Sequence, residues 1–435
     1  MKVVYWDPKI ETMPLNELGK YQTKLLKQIV RYSIQKSPLY QRKFKKAGIK
    51  PEQVTSLDDV AKLPFTVKDE LRNAYPFGFS AVSPDRLARL YSSTGTTGRK
   101  TTLCLMTPND LEIWSDLMAR CLVCATVKKG DIIHLAFGFE RLIDGGHGFM
   151  YGADKLKALS IPIGFDKAER QIQILKDIQP TVLCMVPSYA LYVAETAKKL
   201  GVDLSKELNL RLGIFGAEGW AESLRKRYES IFRLEAYDEY GPSELWGPGV
   251  SIECPEHDGL HVWADHYLVE VINPKTGEPV GDKEQGELVF TTLRREALPL
   301  VRYRTGDIAV LDSDVCACGR THPRMSKVLG RWGDEIRVSG KALFPLWIED
   351  VLMSMDFIGS QYQIVKPKEG SMNKLKIKVE AIEGVKNLAE LKAKVEEKLA
   401  NAFSVPAEVE LLPSGSLPRS SITLFLGKER HMVIE

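Results

Sequence analysis

The sequence predicts an α/β protein: a large N-terminal domain of mostly parallel sheets with a small distorted barrel, followed by a small C-terminal α+β domain. Three observations predict it. Between Asp131 and Gly241 the apolar runs IIHLAF, KALSIPIG, TVLCMV, LRLGIFGA and RLEAYDEYG alternate with amphipathic segments such as KAERQIQILKDIQP and AESLRKRYESIF. Apolar runs between amphipathic helices are the pattern of a buried parallel sheet with crossover helices. From Gly259 to Asp312 short strand-like runs are separated by the turn signals NPKTGEP and GDKEQGE, which suits a smaller antiparallel sheet or barrel. After Gly330 the segments EIRVSG, QYQIVK, LKIKVEAI and AEVELLP read as strands, with helices at Leu346–Met355 and Leu388–Phe403. The resulting order, β-α-β-β-α-β, is ferredoxin-like.

Taken in order, the chain opens with a helical cap, because apolar residues recur at helical spacing from Leu15 to Lys46, and no strand signal precedes residue 91. The glycine-bearing junction Arg331-Trp332-Gly333-Asp334 has few apolar anchors and suits a hinge, so the domains are expected at 1–332 and 333–435. With 435 residues, 44% of them hydrophobic, the chain can bury one large core and carry a second domain. The net charge of +3, from 60 basic and 57 acidic residues, implies no polyanion-binding stripe, so nucleic acid is not an expected partner. The start, MKVVYWDPKIETMPLNEL, has no apolar leader, and no stretch reaches about 18 apolar residues. A soluble, cytoplasmic protein without a membrane partner is expected. Seven cysteines, an odd number, fit reduced thiols or metal ligands better than a disulfide framework.

The stretch Tyr91–Thr102, YSSTGTTGRKTT, carries the most chemistry. Hydroxyls of Ser92, Ser93, Thr94, Thr96 and Thr97 surround Gly95 and Gly98, where successive backbone N–H groups can turn toward an anion. Neither the G-x-x-x-x-G-K-[ST] nor the G-x-G-x-x-G spacing is present, which leaves a Ser/Thr/Gly loop that grips ATP phosphates, or a solvated linker of the same composition.

Three further segments follow it in order: GAEGW at Gly216–Trp220, YDEYGPSE at Tyr237–Glu244, and YRTGD at Tyr303–Asp307 with GRWGDEIRVSGK behind it. Together the four resemble the adenylate-forming acyl-coenzyme A ligases, and within them the phenylacetate–coenzyme A ligase family, over nearly the whole chain. The resemblance implies an ATP-dependent ligase that converts an aryl or arylacetic acid to an acyl-adenylate and then to a coenzyme A thioester. It places Ser93, Thr94, Gly95, Thr96, Thr97 and Gly98 on the phosphates, with Ala217, Glu218, Glu239, Gly241 and Ser243 in the nucleotide motifs. Tyr240 would lie against adenine and Asp238 accept from its exocyclic amine; Asp307 would take the ribose hydroxyls and Arg331 the ribose or phosphates. Glu244 would hold magnesium, a hard cation that prefers oxygen. Read without the resemblance, Glu244 is a loop glutamate, Tyr240 a core residue, and Asp307 or Arg331 a member of a structural ion pair. Asp334 matches the family's hinge position.

The family's adenylation lysine follows a run like PRSEGK; here the tail reads LPRSSITLFLGKERHMVIE, which makes Lys428 the candidate at a late spacing. The phosphate loop has Arg99-Lys100 where relatives have Lys-Pro. Relatives line the acid pocket with a run like YGYGLFTGGLG. This chain has FGFERLIDGGHGFMYG, so Phe137, Phe139, Ile143 and Gly216 are the expected pocket residues, with Arg141, Asp144 and His147 as new polar members.

Cys316 and Cys318 form a tight pair, and Cys254, His257 and His261 supply one more thiolate and two imidazoles, which fits a Cys₃His structural zinc site. Relatives that lack the C-x-C pair also lack a histidine at the position of His261, so the resemblance favours His261 over His257; free loop cysteines are the other reading. Cys104, Cys121, Cys124 and Cys184 lie in apolar contexts and are expected in the core. Transfer of the acyl group to a carrier protein or an amine, or a noncatalytic nucleotide-binding relative, are the other functions this sequence admits. A homodimer is implied only by resemblance.

Overall fold

The computed structural model describes residues 3–93, 101–140, 142–367 and 372–418, with backbone alone for 432–434. The amphipathic cap is two helices, Leu15–Lys36 and Pro38–Ala47, because Pro38 cannot continue the ladder and Ser37 is driven to φ −95°, ψ 120°. Leu25, Leu26, Ile29, Val30, Tyr40 and Phe44 form a core of their own that closes on Leu293 and Val301.

A strand does precede the phosphate loop, contrary to expectation. Arg89–Ser92 pairs antiparallel with Leu103–Met106, a hairpin whose four-residue arms are too short to show a period. The main sheet has twelve strands. Its parallel half runs Leu159–Pro162, Ile132–Ala136, Val182–Met185, Leu212–Phe215, Glu235–Tyr240, and the inner strands VLCM and LGIF are buried on both faces. From Glu235–Tyr240 the sheet turns antiparallel through Ser251–Glu253, Leu260–Val262, Arg324–Met325, Tyr303–Asp312, Gln285–Thr292 and Tyr267–Ile272. The meander read from the turn signals is thus continuous with the parallel sheet. Helix Gly145–Leu156 lies on helix Pro108–Cys124 at glycine distance: a Cβ on Gly148 would stand 2.5 Å from the Trp114 ring, and one on Gly152 2.7 Å from Met118.

The C-terminal part is a four-stranded sheet in the order Ala407–Leu412, Leu375–Ala381, Ile358–Lys366, Met432–Ile434, with helices Pro345–Met353 and Leu388–Phe403. The segment EIRVSG, expected as its first strand, instead forms Ile336–Val338 in a separate hairpin with Lys341–Leu343. Ser339 and Gly340 both have positive φ, 48° and 81°, the geometry of the two-residue turn that folds a strand straight back.

Candidate active site

The loops that follow Ile132–Ala136, Val182–Met185, Leu212–Phe215 and Glu235–Tyr240 leave the parallel sheet at the same carboxyl edge, where open α/β sheets bind their ligands. The phosphate-loop hairpin lies over this edge, since the Ser92 N–H donates to Leu142 O at 2.8 Å. At its base Ser93 N–H donates to Thr102 O at 3.0 Å, and the Thr101 hydroxyl donates to Ser93 O at 2.6 Å. Thr94, Gly95, Thr96, Thr97 and Gly98 lie outside the described residues, as do Arg141 and Lys428.

In the GAEGW and YDEYGPSE motifs, Gly216 and Gly241 leave no room for a side chain. A Cβ on Gly216 would meet Glu239 O at 2.8 Å and Glu239 Oε2 at 3.0 Å, and one on Gly241 would stand 1.8 Å from Gly247 O. Ala217, between Gly216 and Glu218, holds φ +71°, a strained conformation of the kind found at ligand clamps. Glu218 accepts from the Ser188 N–H at 2.6 Å, tying GAEGW to the next loop.

Tyr240, Asp307 and Arg331 form one chain: the Tyr240 hydroxyl donates to Asp307 Oδ2 at 2.8 Å, and Arg331 Nε stands 2.7 Å from Asp307 Oδ1. Burial, then the Asp307 charge, pushes the Tyr240 phenol well above its ordinary range, so it stays a donor. Arg331 is placed by the short pairing of Gly330–Arg331 with Tyr303–Asp312, which puts it directly opposite Asp307. Asp334 follows one turn later, its N–H bonded to Arg331 O at 3.0 Å, and Gly333 between them takes φ +91° with nothing near its missing side chain.

Asp238 lies in strand Glu235–Tyr240. It is buried, its Oδ1 accepts from the Trp220 indole at 2.9 Å, and burial pushes its carboxyl up to about 7. The Lys327 ammonium lies 3.4 Å above the centroid of that indole. Glu239 accepts from the Gly249 N–H at 2.7 Å through Oε1, and burial raises it to about 8. Glu244 is almost fully buried and pairs with Lys68, Nζ to Oε1 2.7 Å, while the Arg295 guanidinium holds its carbonyl at 2.6 Å. Beside it Asp144, the N-cap of helix Gly145–Leu156, is bonded to Ser243, and burial drives its carboxyl up to about 7.

The expected acid-pocket residues divide. Phe137 is a core residue, stacked on Phe149 at 4.9 Å. Phe139 is half-buried and meets His147 edge-on at 5.1 Å, and Ile143 approaches Gly138 beside Phe165. Tyr91 and Tyr151 complete the aromatic wall around His147, with ring centroids at 5.5 and 6.3 Å.

The fold brings Cys254, His261, Cys316 and Cys318 together, all buried, with ligand atoms within 4.8 Å of one another. Cys254 Sγ lies 3.8 Å from Cys316 Sγ, and Cys318 Sγ 3.4 Å from His261 Nε2. Two sulfurs at about 2.3 Å from one tetrahedral zinc would lie about 3.8 Å apart, so the donor set fits that ion. His261 Nδ1 faces His322 O at 3.2 Å, which turns Nε2 toward the thiols. His257 is instead engaged by Glu235 and Glu253 at 3.2 and 3.4 Å. Sequence reasoning missed what surrounds this cluster: Arg320 donates to Cys318 Sγ at 3.6 Å and to Glu11 at 2.7 Å, and Tyr5 donates to Cys318 O at 2.7 Å. It also missed Lys68, whose approach to Glu244 is tertiary and leaves no mark in spacing.

The AMP-binding enzyme family model matches residues 146–292, and the AMP-binding enzyme C-terminal domain matches 340–425. The phenylacetate-coenzyme A ligase of Thermus thermophilus is 38% identical over 433 residues, covering 95% of this chain and 97% of that protein. The chain belongs to the phenylacetate–coenzyme A ligase family. The Escherichia coli member is also 38% identical, over 421 residues and 95% of each chain. Family membership makes the chain an acid–thiol ligase of the adenylate-forming superfamily. Among solved structures, 2-hydroxyisobutyryl-CoA ligase in its postadenylation state with 2-HIB-AMP superposes with TM-score 0.92 at 27% identity, covering 99% of this chain and 92% of that one. The same protein in its thioesterification state gives 0.72 over the same coverage.

Proposed function

We propose that this phenylacetate–coenzyme A ligase relative activates an aryl or arylacetic acid with ATP and passes the acyl group to coenzyme A. The observation that carries this reading is the Tyr240–Asp307–Arg331 chain beside the buried Glu244–Lys68 pair, at the carboxyl edge of the parallel sheet. Asp307 takes the ribose hydroxyls, Arg331 holds its carboxylate in place, and Tyr240 packs on adenine. The substrate carboxylate attacks the α-phosphorus of ATP and the bond to pyrophosphate breaks; Ser93 and the loop that follows it hold the departing phosphates. Glu244 and Ser243 would hold magnesium, which neutralises phosphate charge when bound. Lys428 supplies a further positive charge at the α-phosphate. The coenzyme A thiol then loses its proton and attacks the acyl carbon, and the bond to AMP breaks.

The boundary of the two domains lies at 332/333, with Asp334 the hinge between the two half-reactions. The Cys254–His261–Cys316–Cys318 cluster holds a structural zinc: four protein donors close the coordination sphere, leaving no position for substrate. Free buried thiols suit the reducing cytoplasm, and no helix among the described residues is long and apolar enough to cross a membrane. The active form is a homodimer, which sedimentation would test. Within the acid pocket Asp144 and His147 favour a polar substituent over bare phenylacetate.

The test is acid-dependent pyrophosphate release across aryl, arylacetic and short aliphatic acids, with and without coenzyme A. A thioester and AMP that accumulate with an aryl-type acid only when coenzyme A is present support the reading. Measurable ATP binding with no acid-dependent release would reject it.

A further inference from the structure

Helix Glu222–Phe232 follows the GAEGW motif, and N–H groups of its N-cap Ala221 and its first turn are held from the C-terminal part of the chain. Ala221 N–H donates to Glu349 Oε2 at 3.3 Å, and Ser223 N–H donates to Asp350 Oδ1 at 2.9 Å. Both carboxylates belong to helix Pro345–Met353. Bonds run the other way just past the far end of that helix. Arg227, on Glu222–Phe232, donates through Nη2 to Met355 O at 2.7 Å and through Nη1 to Ile358 O at 3.0 Å. Acids at a helix N-terminus are favourable, so helix Pro345–Met353 caps the start of Glu222–Phe232, while Arg227 holds two carbonyls of the segment that leads from Pro345–Met353 into strand Ile358–Lys366. The Ser360 hydroxyl also bonds Glu195, so the contact continues past the helix pair.

These bonds join residues on either side of the 331–334 junction, so a rotation of the small domain about it, out of this seat, would strain or break them. The seat is the one that superposes on the postadenylation state of 2-hydroxyisobutyryl-CoA ligase with TM-score 0.92, against 0.72 for its thioesterification and open states. We propose that these bonds at both ends of the packed helices Glu222–Phe232 and Pro345–Met353 are a latch, in which Arg227, Glu349 and Asp350 hold the small domain in the adenylation seat and set the balance between the two half-reactions. These are positioning residues: they act on GAEGW through the helix that follows it, and touch no reacting atom. The inference rests on the ligase reading for its kinetic part and on geometry alone for its conformational part.

The test uses the full chain and two readouts. The first is kinetic: acid-dependent ATP–pyrophosphate exchange, and separately thioester formation from preformed acyl-adenylate and coenzyme A. The second is a fluorescence distance between labels placed on the two domains, read without substrates. In Arg227→Ala two charged hydrogen bonds are lost, so exchange should fall about tenfold while thioester formation holds or rises, and the label distance should broaden. Asp350→Asn, a milder change that keeps the helix, should move both readouts the same way by less. Unchanged distances and an unchanged ratio of the half-reactions in both variants would overturn the latch. A wild-type chain with neither half-reaction would reject the ligase reading, and the distance readout would then decide the latch by itself.

Discussion

Lys68 Nζ stands 2.7 Å from Glu244 Oε1, and the Glu244 side chain is only 5% exposed. The lysine comes from a short N-terminal helix, Lys68–Asn73, and the glutamate from the turn after Glu235–Tyr240. In the proposed site, a buried carboxylate that takes up a divalent cation would repel ATP phosphates unless a nearby positive charge offset it, and Lys68 is the charge paired with Glu244.

Lys68→Ala should therefore raise the KM for ATP and for magnesium together, by roughly tenfold for the loss of one close charge, while Glu244→Gln should chiefly lower kcat. Steady-state kinetics at varied magnesium would check both. A Lys68→Ala enzyme with unaltered ATP and magnesium dependence would remove the lysine from the site.

The metal cluster gives a prediction on stability. Elemental analysis should find about one zinc per chain, and Cys316→Ser should lose the metal and several degrees of Tm. Arg320→Met, which leaves Glu11 uncompensated where both partners are at most 1% exposed, should cost about 3–5 kcal/mol even with the metal retained. Denaturant unfolding with metal analysis separates these two effects.

Glu239 gives a prediction on pH. Its carboxyl is raised by burial to about 8, so between the ordinary glutamate range and about 8 the folded state binds a proton that the unfolded state has released. Stability from this group is full at low pH and is lost as pH rises through that window, with a slope approaching ~1.4 kcal/mol per pH unit. Glu239→Gln should flatten the fall in Tm between pH 5 and 8, and Tm measured across that range in both chains is the check. A parallel fall in the variant would assign the slope elsewhere, to Asp144 or Asp238.

Asp144 gives a prediction on substrate choice. Oδ2 is buried and meets no donor among the described residues, and His147 lies three residues on, on the same face of the helix. Hydroxyl-bearing arylacetic acids should give higher kcat/KM than phenylacetate, and Asp144→Ala should shrink that preference by about tenfold, the scale of one buried hydrogen bond. Competition between the two acids would read it directly.

The parallel half of the sheet was legible because VLCM and LGIF are apolar throughout and stand between amphipathic helices. The four zinc-type donors were legible too, since a C-x-C pair and a distant Cys/His pair have few other uses. Hairpin Ile336–Leu343 was not: EIRVSG has strand composition, and only the paired positive φ of Ser339 and Gly340 decides that it folds on itself. The bond from the Trp220 indole to Asp238 was not legible either, because it joins two separate motifs 18 positions apart and follows no period. Lys68 and Arg227 belong to the same class, polar side chains whose partners are set by tertiary approach and have no period to follow.

The fastening of the first residues to the cysteine loop has a consequence for biosynthesis. Glu11 and Arg320 are separated by 309 positions, and the Tyr5, Ile10 and Glu11 contacts all reach residues between 318 and 322. In a chain made from its N-terminus at about 5–20 residues per second, those residues wait on the order of 15–60 s before their partners leave the ribosome. This segment, made 309 positions ahead of its partner, thus docks late, and during that interval Trp6, Ile10 and the Glu11 carboxylate are open to chaperones and proteases.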